Sequence, residues 1–273
     1  YMSAGSNNNS MDKDGNSNTI PSSSVPFPIG VYPTMITPFK RINTNDSTKF
    51  DSLSLTLTID FLRVDALIEF YIKAGCAGIF SPCLSSEMFD LTPKERLALA
   101  EYIFKKVNGR VVLVSTGTYD GYTIKEQADF ISKMSVFCNA VVVNTATLVK
   151  QEASEEEWKN VVIEILKLTG NIKLGLYECP VPYKRLLSPE LIKWCAETGR
   201  FYFHKDTSCS TTDMKAKISA INEIQGTPFR FYNANVETLL DSLLDGGHGF
   251  SGISANFYPR LHVWLIEKVV TNS

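Results

Sequence analysis

AGIFSPCLSSEMFDLTPKER, residues 77–96, holds a complete structural unit. AGIFSP is a short apolar run without polar alternation, the pattern of a strand buried on both faces. Thr92-Pro93-Lys94-Glu95 supplies an N-cap, a proline at N1 and a Glu at N3, the start signal of a helix. The same order recurs along the chain. Before this unit stand the apolar strand GVYPTMITPF (30–39) and a stretch of helical spacing from Leu67 to Lys73. After it come RVVLVSTG (110–117) with a helix over 123–135, and NAVVVNTA (139–146) with a helix opened by Ser154 and Glu157. NIKLGLYECP is followed by a helix from Ser188-Pro189, and RFYFHKD by a helix over 210–225. TPFRFYNAN (227–235) with a helix over 236–244, and GHGFSGISAN with a helix over 258–270, complete the series.

Eight buried strands alternating with helices predict a closed (β/α)8 TIM barrel, because parallel strands need helices over both faces or around a closed ring. An open doubly wound sheet is the competing arrangement. No GxGxxG follows the first strand, which removes the usual reason to place a dinucleotide there. The chain of 273 residues fits one barrel domain, 29–273. Residues 1–28, rich in Asn, Ser and Gly, offer little apolar area and are expected to be a disordered tail. Residues 41–60, with the alternating SLSLTLTI, read as an insertion after strand one, forming an extra strand or long loop.

Lys and Arg number 27 against 29 Asp and Glu, a net charge of −2, which gives no field for nucleic acid or an anionic membrane. No apolar stretch approaches the length of a membrane span and no secretory leader is visible, so a cytoplasmic location is expected. Cys76, Cys83, Cys138, Cys179, Cys195 and Cys209 form no C-x-x-C pair, and His204, His248 and His262 are scattered. Buried free thiols and no metal site are the expectation.

Catalytic groups of such barrels gather at the C-terminal ends of the strands. Lys205 ends one, after Phe201-Tyr202-Phe203. It reads either as a lysine paired with Asp206 or as a nucleophile whose ammonium is destabilised by desolvation. Tyr177, at the end of KLGLY, is a proton relay or a core tyrosine with its hydroxyl bonded to backbone. Ser85 and Ser86 are carboxylate-holding hydroxyls or a helix cap, and they lie outside any G-x-S-x-G elbow. Glu87 and Glu178 fit structural roles. Gly246, Gly247, Gly249 and Gly252 suit close packing rather than a P-loop, since no G-K-[ST] follows.

In this order, GVYPTMITPF, AGCAGIFSPCLSSEMFDLTPKER, GLYECP, FYFHKD and GGHGFSGISANFYP resemble the dihydrodipicolinate synthase and N-acetylneuraminate lyase family over roughly residues 29–270. The resemblance implies a class I enzyme acting on pyruvate or larger 2-oxo acids, with the imine on Lys205, proton transfer by Tyr177, and Ser85 at the hydroxyl of the G-T-T-G-E-like motif, here Cys83-Leu84-Ser85-Ser86-Glu87. Ser85, Ser86, Leu84, Thr147 and Ala234 would form the substrate-binding set. No external cofactor is implied, and a homo-oligomer, dimer or tetramer, is expected.

Three departures bear on the substrate. Glu178-Cys179-Pro180-Val181-Pro182 lacks the arginine that condensing members carry after the tyrosine, Lys184 and Arg185 arriving later. Leu84 replaces the first hydroxyl of the motif, and Thr147 stands near the position of a tyrosine contributed across a subunit contact. Typical members also carry C-terminal helices beyond the eighth unit, whereas this sequence ends at Ser273, a shortened helical region. The expected activity is reversible cleavage of a 2-oxo acid, such as a 2-keto-3-deoxy sugar acid, to pyruvate and an aldehyde. A dehydratase, a dihydrodipicolinate-synthase-like condensation, and a non-catalytic metabolite-binding or interaction barrel are the alternatives.

Overall fold

The computed structural model describes residues 25–41 and 57–270. Its strands are β1 (Gly30–Val31), β2 (Phe39–Arg41), β3 (Leu57–Ile59), β4 (Gly78–Phe80), β5 (Val112–Thr116), β6 (Ala140–Asn144), β7 (Leu174–Tyr177), β8 (Phe201–Asp206), β9 (Arg230–Asn233) and β10 (Gly249–Phe250). The helices are α1 (Phe61–Lys73), α2 (Pro93–Val107), α3 (Ile124–Met134), α4 (Glu155–Leu168), α5 (Pro189–Glu197), α6 (Thr211–Asn222), α7 (Leu239–Leu244) and α8 (Pro259–Val270). Eight strands pair in parallel in the order β1-β10-β9-β8-β7-β6-β5-β4. A parallel bridge between Thr34 and Phe80 brings the chain after β1 back against β4, which makes a barrel and excludes the open sheet.

Local chemistry sets the helix starts. Thr92 and Glu95 cap α2 reciprocally, as do Thr123 and Glu126 on α3 and Ser154 and Glu157 on α4. Helix α1 begins at Phe61, six residues before the apolar spacing becomes evident, because the Asp60 carboxylate accepts from the Arg63 amide. β2 and β3 form an antiparallel ribbon that brackets the expected insertion, whose residues 42–56 lie outside the described part.

The tail needs a correction at its inner end. Residues 1–24 lie outside the described part, but Phe27 is buried and packs its ring on Tyr202 and Phe203. The Pro28 carbonyl accepts from the hydroxyls of Tyr32 and Tyr232. An aromatic residue with that much area to bury belongs to the core even where a polar tail leads up to it.

Inside the barrel, side chains stack in layers drawn from alternate strands. The pairs Thr34 with Phe80, Phe80 with Val114, Thr116 with Val142, Asn144 with Tyr177, Tyr177 with Lys205, and Lys205 with Tyr232 fix the register. Following them around the wall, with the tilt of the strands, puts Phe80, Val142, Lys205 and Ser251 in one layer. The next layer toward the C-terminal mouth holds Thr34, Thr116, Tyr177 and Ala234. Tyr32, Phe80, Val114, Phe203, Tyr232 and Ser251 line a narrow cavity with Lys205.

An irregularity in the β7/β8 pairing aims the lysine. Leu174 faces Phe201 and Leu176 faces His204, so the single residue Gly175 lies opposite both Tyr202 and Phe203. Strict alternation would put Lys205 on the same face as Phe201, which packs outside the barrel; the extra residue resets the phase and turns Lys205 inward. Gly175 is required there, because a Cβ would sit 2.2 Å from the Phe203 ring.

Candidate active site

Lys205 is 4% exposed, with its ammonium 4.1 Å from the centre of the Tyr177 ring and 4.9 Å from that of Phe80. Among the described residues no carboxylate forms an ion pair with it. Burial is the main influence on its pKa, partly offset by the Cys83 and Cys179 thiols, and lowers it to about 8. About a tenth of such a lysine is the neutral, nucleophilic amine one pH unit below that value. The bland alternative of a Lys205–Asp206 pair does not form, since the two side chains project from opposite faces of β8.

Tyr177, in the layer above, is 4% exposed. Burial, with the nearby thiols of Cys179 and Cys83, holds its hydroxyl well above the usual phenol range. It therefore keeps its proton at neutral pH. Its ring also packs edge-on against Phe80. The expected core tyrosine bonded to backbone is not what is seen, because the hydroxyl is coupled to the Cys179 thiol.

The turn after β4 separates the two serines that sequence grouped together. Ser85 is half-buried and its hydroxyl donates to Thr34 Oγ1 at 3.2 Å, at the mouth layer. Ser86 is fully buried: its hydroxyl donates to the Met35 carbonyl at 2.6 Å and accepts from the Cys83 amide at 3.0 Å. Ser86 thus ties the turn to the segment after β1, and of the two hydroxyls only that of Ser85 stands at the mouth layer. Leu84 packs against the interior cluster. Ala234 belongs to the mouth layer, its amide donating to the Asp206 carbonyl. Thr147 is turned away from free solvent and donates to Thr118 Oγ1 and the Asn144 carbonyl.

Three groups near the lysine went unnoticed in sequence. Thr34 and Thr116 share the Tyr177 layer, and Ser251 shares that of Lys205. Their signal was only parity along short strands, and Ser251 sat in a segment read for its glycines. Close packing does account for Gly249, where a Cβ would meet the Gly30 carbonyl oxygen at 2.0 Å. Arg185, a possible substitute for the missing arginine, spends its guanidinium on the carbonyls of Lys150, Gln151 and Ala153.

Behind β7 and β8 lies a buried charge cluster. Lys217 of α6 bonds Glu178 Oε1 at 2.8 Å and Asp206 Oδ2 at 2.7 Å, and His204 Nε2 lies 3.5 Å from Glu178 and 3.7 Å from Asp206. Burial pulls the His204 pKa down, but the two carboxylates outweigh it and leave the pKa raised. Glu178, His204 and Asp206 are grouped closely enough to resemble metal ligands, yet the cation among them is the Lys217 ammonium. Glu178 also accepts from the Leu187 amide at 2.8 Å, so the cluster fixes the strand ends that carry Tyr177 and Lys205. The structural role expected of Glu178 is this one.

Known proteins share both sequence and fold with the chain. A profile described as the dihydrodipicolinate synthetase family matches residues 30–271. The 4-hydroxy-tetrahydrodipicolinate synthase of Methanococcus maripaludis is 25% identical over 243 residues, covering 87% of this chain and 74% of that protein. That of Bacillus subtilis is 26% identical over 225 residues, covering 80% and 72%. Among solved structures, a prophage protein of the dihydrodipicolinic acid synthase family from E. coli K12, in complex with pyruvate, superposes with a TM-score of 0.72 at 20% identity, covering 90% of this chain and 78% of that one. A Ruminococcus gnavus sialic acid aldolase does so with 0.73 at 15% identity, covering 89% and 73%. The profile spans the whole barrel together with Tyr177 and Lys205, and the chain belongs to the dihydrodipicolinate synthetase family, an enzyme of the class I aldolase type.

Proposed function

We propose that this enzyme cleaves a 2-oxo acid of the 2-keto-3-deoxy sugar acid class reversibly to pyruvate and an aldehyde, through an imine on Lys205. The observation that carries the reading is a buried lysine with no counterion among the described residues, its pKa lowered to about 8, beneath a tyrosine that holds its proton at the barrel mouth. The neutral amine attacks C2 and forms a carbinolamine, and loss of water gives the iminium. As the C3–C4 bond breaks, its electron pair moves toward the iminium nitrogen; the C4 hydroxyl loses its proton and the aldehyde departs. The enamine left behind takes a proton at C3, and water then releases pyruvate and Lys205. Tyr177 is the proton-transfer group at the carbinolamine oxygen, with Ser85 orienting the acid head. The lysine is the electron sink, and no external cofactor enters these steps.

The Arg185 arrangement favours this reading over condensation with an amino-acid semialdehyde, whose second carboxylate would call for a cation at the mouth. The two sequence relatives are synthases, so condensation is the second reading and a dehydratase the third. Incubation with pyruvate and borohydride should leave a reduced adduct on the peptide containing Lys205, absent from Lys205→Ala. Folded wild-type protein without that adduct overturns the imine. A panel of 2-keto-3-deoxy sugar acids, with released pyruvate measured, then tests the substrate class; no release, alongside water loss or semialdehyde consumption, would assign one of the other reactions.

A further inference from the structure

The hydroxyls around the mouth are nearly all engaged. Ser115 donates to the Ser81 carbonyl, Thr118 accepts from the Asn144 amide and the Thr147 hydroxyl, Thr145 donates to the Arg185 carbonyl, and Ser85 donates to Thr34. Ser251, on the Lys205 cavity, and Thr116 are the exceptions. Thr116 is 0% exposed, and its Oγ1 is the one fully enclosed hydroxyl oxygen without a hydrogen-bond partner among the described residues. Leaving such a group unpaired works against folding, so a retained one calls for an explanation.

Its position supplies one. Along β5, Leu113 packs between sheet and helices while Val114 joins the interior cluster, so Thr116 also faces the interior. The register with Val142 puts it in the layer of Tyr177, immediately above that of Lys205 and two strands from Tyr177. On its other side, the Thr116 amide donates to the Pro82 carbonyl, at the root of the turn that carries Ser85. Thr116 therefore stands between the strand of the proton-transfer group and the turn that orients the acid head. With Leu84 apolar, Ser86 committed to the wall and Arg185 turned away, donors at this mouth are few.

We infer that Thr116 is a substrate-binding residue whose hydroxyl donates to an oxygen of the carboxylate–carbonyl head of the 2-oxo acid bound at Lys205. The inference rests on the imine reading above. It explains an unpaired group in the free protein as a donor satisfied by ligand, and it makes the hydroxyl costly to stability and useful to binding at once.

Thr116→Val removes the hydroxyl at nearly constant volume, and Thr116→Ser restores it. Pyruvate-concentration dependence of borohydride trapping, calorimetric titration of pyruvate without borohydride, and the thermal midpoint are read for both. The expected result for Thr116→Val is a half-saturating pyruvate concentration higher by about 10-fold or more, the effect of one hydrogen bond to a charged acceptor, with a thermal midpoint unchanged or raised. Thr116→Ser should return to within about 3-fold of wild type. Wild-type-like pyruvate binding by Thr116→Val overturns the inference. So does a lowered midpoint in Thr116→Val together with weak binding that Thr116→Ser leaves unrestored, since that marks a structural hydroxyl. Failure of wild type to form the adduct overturns the imine reading instead, and calorimetry still reports on Thr116 separately.

Discussion

Two buried lysines stand on opposite sides of the same strand end and are treated in opposite ways. Lys217, outside the barrel, has carboxylate oxygens at 2.8 and 2.7 Å. Burial draws its pKa down, but Glu178 and Asp206 outweigh that and hold it above the ordinary value. Lys205, inside, faces ring surfaces and thiols, and burial is left to lower its pKa to about 8. Desolvation is common to both. What separates the two ammoniums is whether acids are turned toward them, and β8 sends His204 and Asp206 outward while Lys205 goes in.

The largest effects come from giving both sites the same substitution. Lys217→Met leaves two buried carboxylates facing each other and should cost about 3–5 kcal/mol in denaturant unfolding at pH 7. Lys205→Met removes a buried charge without a partner. The displacement of its pKa from 10.5 to about 8 corresponds to about 3 kcal/mol, so this variant should be as stable as wild type or more so. The pH dependence has a definite sign. Between pH 8 and 10.5 the unfolded chain holds a proton at position 205 that the folded chain has released, so stability from this group rises with pH across that window. Below pH 8 the full penalty is present. Two destabilised variants of similar size would erase the distinction between the lysines.

Next in size is a counterion added on the inner side. Cys179→Asp puts a carboxylate where a thiol couples to both Lys205 and Tyr177. An opposite charge at close range raises a lysine pKa by about 1–3 units, and each unit removes about tenfold of the neutral amine. Borohydride trapping with pyruvate at pH 7 should fall by about 10-fold or more and recover as the pH is raised, whereas Cys179→Ser, which adds no charge, should not move the profile to higher pH. In wild type the trapping rate should climb through pH 7 and level off above about 8. A flat profile would detach the lowered pKa from reactivity.

The repeated pattern of short apolar runs and capping signals made the barrel legible, because each unit carries its own start signals in adjacent residues. Lys205 and Tyr177 were legible as polar groups at strand ends. Their surroundings were not. Alternation alone puts Lys205 on the face of Phe201, and only the extra residue opposite Gly175 reverses it. Asp206 is adjacent in sequence yet pairs with Lys217, from a helix eleven residues on. Ser85 and Ser86 look equivalent as letters, but one hydroxyl faces the mouth and the other the wall. A hydroxyl without a partner, as at Thr116, is a property of packing and leaves no mark in the sequence.

Gly175→Ala tests the geometry that separates the faces. Its Cβ would lie 2.2 Å from the Phe203 ring, so the ring or the strand must move. Overpacking of this kind costs about 1–3 kcal/mol. Thermal unfolding should show that loss, and trapping should slow further than stability explains, because Phe203 lies beneath Lys205 on the same strand. Normal trapping in a destabilised Gly175→Ala would mean that the lysine's aim does not depend on the bulge.

The smallest effect is expected at Ser85, where the two faces of the comparison are no longer involved and only the rim of the inner site is touched. Its hydroxyl makes one neutral bond, to Thr34 at 3.2 Å, from a half-buried position open to water. Ser85→Ala should therefore change stability by about 1 kcal/mol or less. Ser86→Ala, by contrast, strands the buried Met35 carbonyl and Cys83 amide that the Ser86 hydroxyl serves, and should cost about 1–3 kcal/mol. Pyruvate saturation of trapping separates the two further. Ser85→Ala should raise the half-saturating concentration by several-fold with its maximal rate retained, as expected for a group that orients the acid head. If Ser86→Ala alone weakens pyruvate while Ser85→Ala leaves it unchanged, the two serines have exchanged the roles that their hydrogen bonds assign.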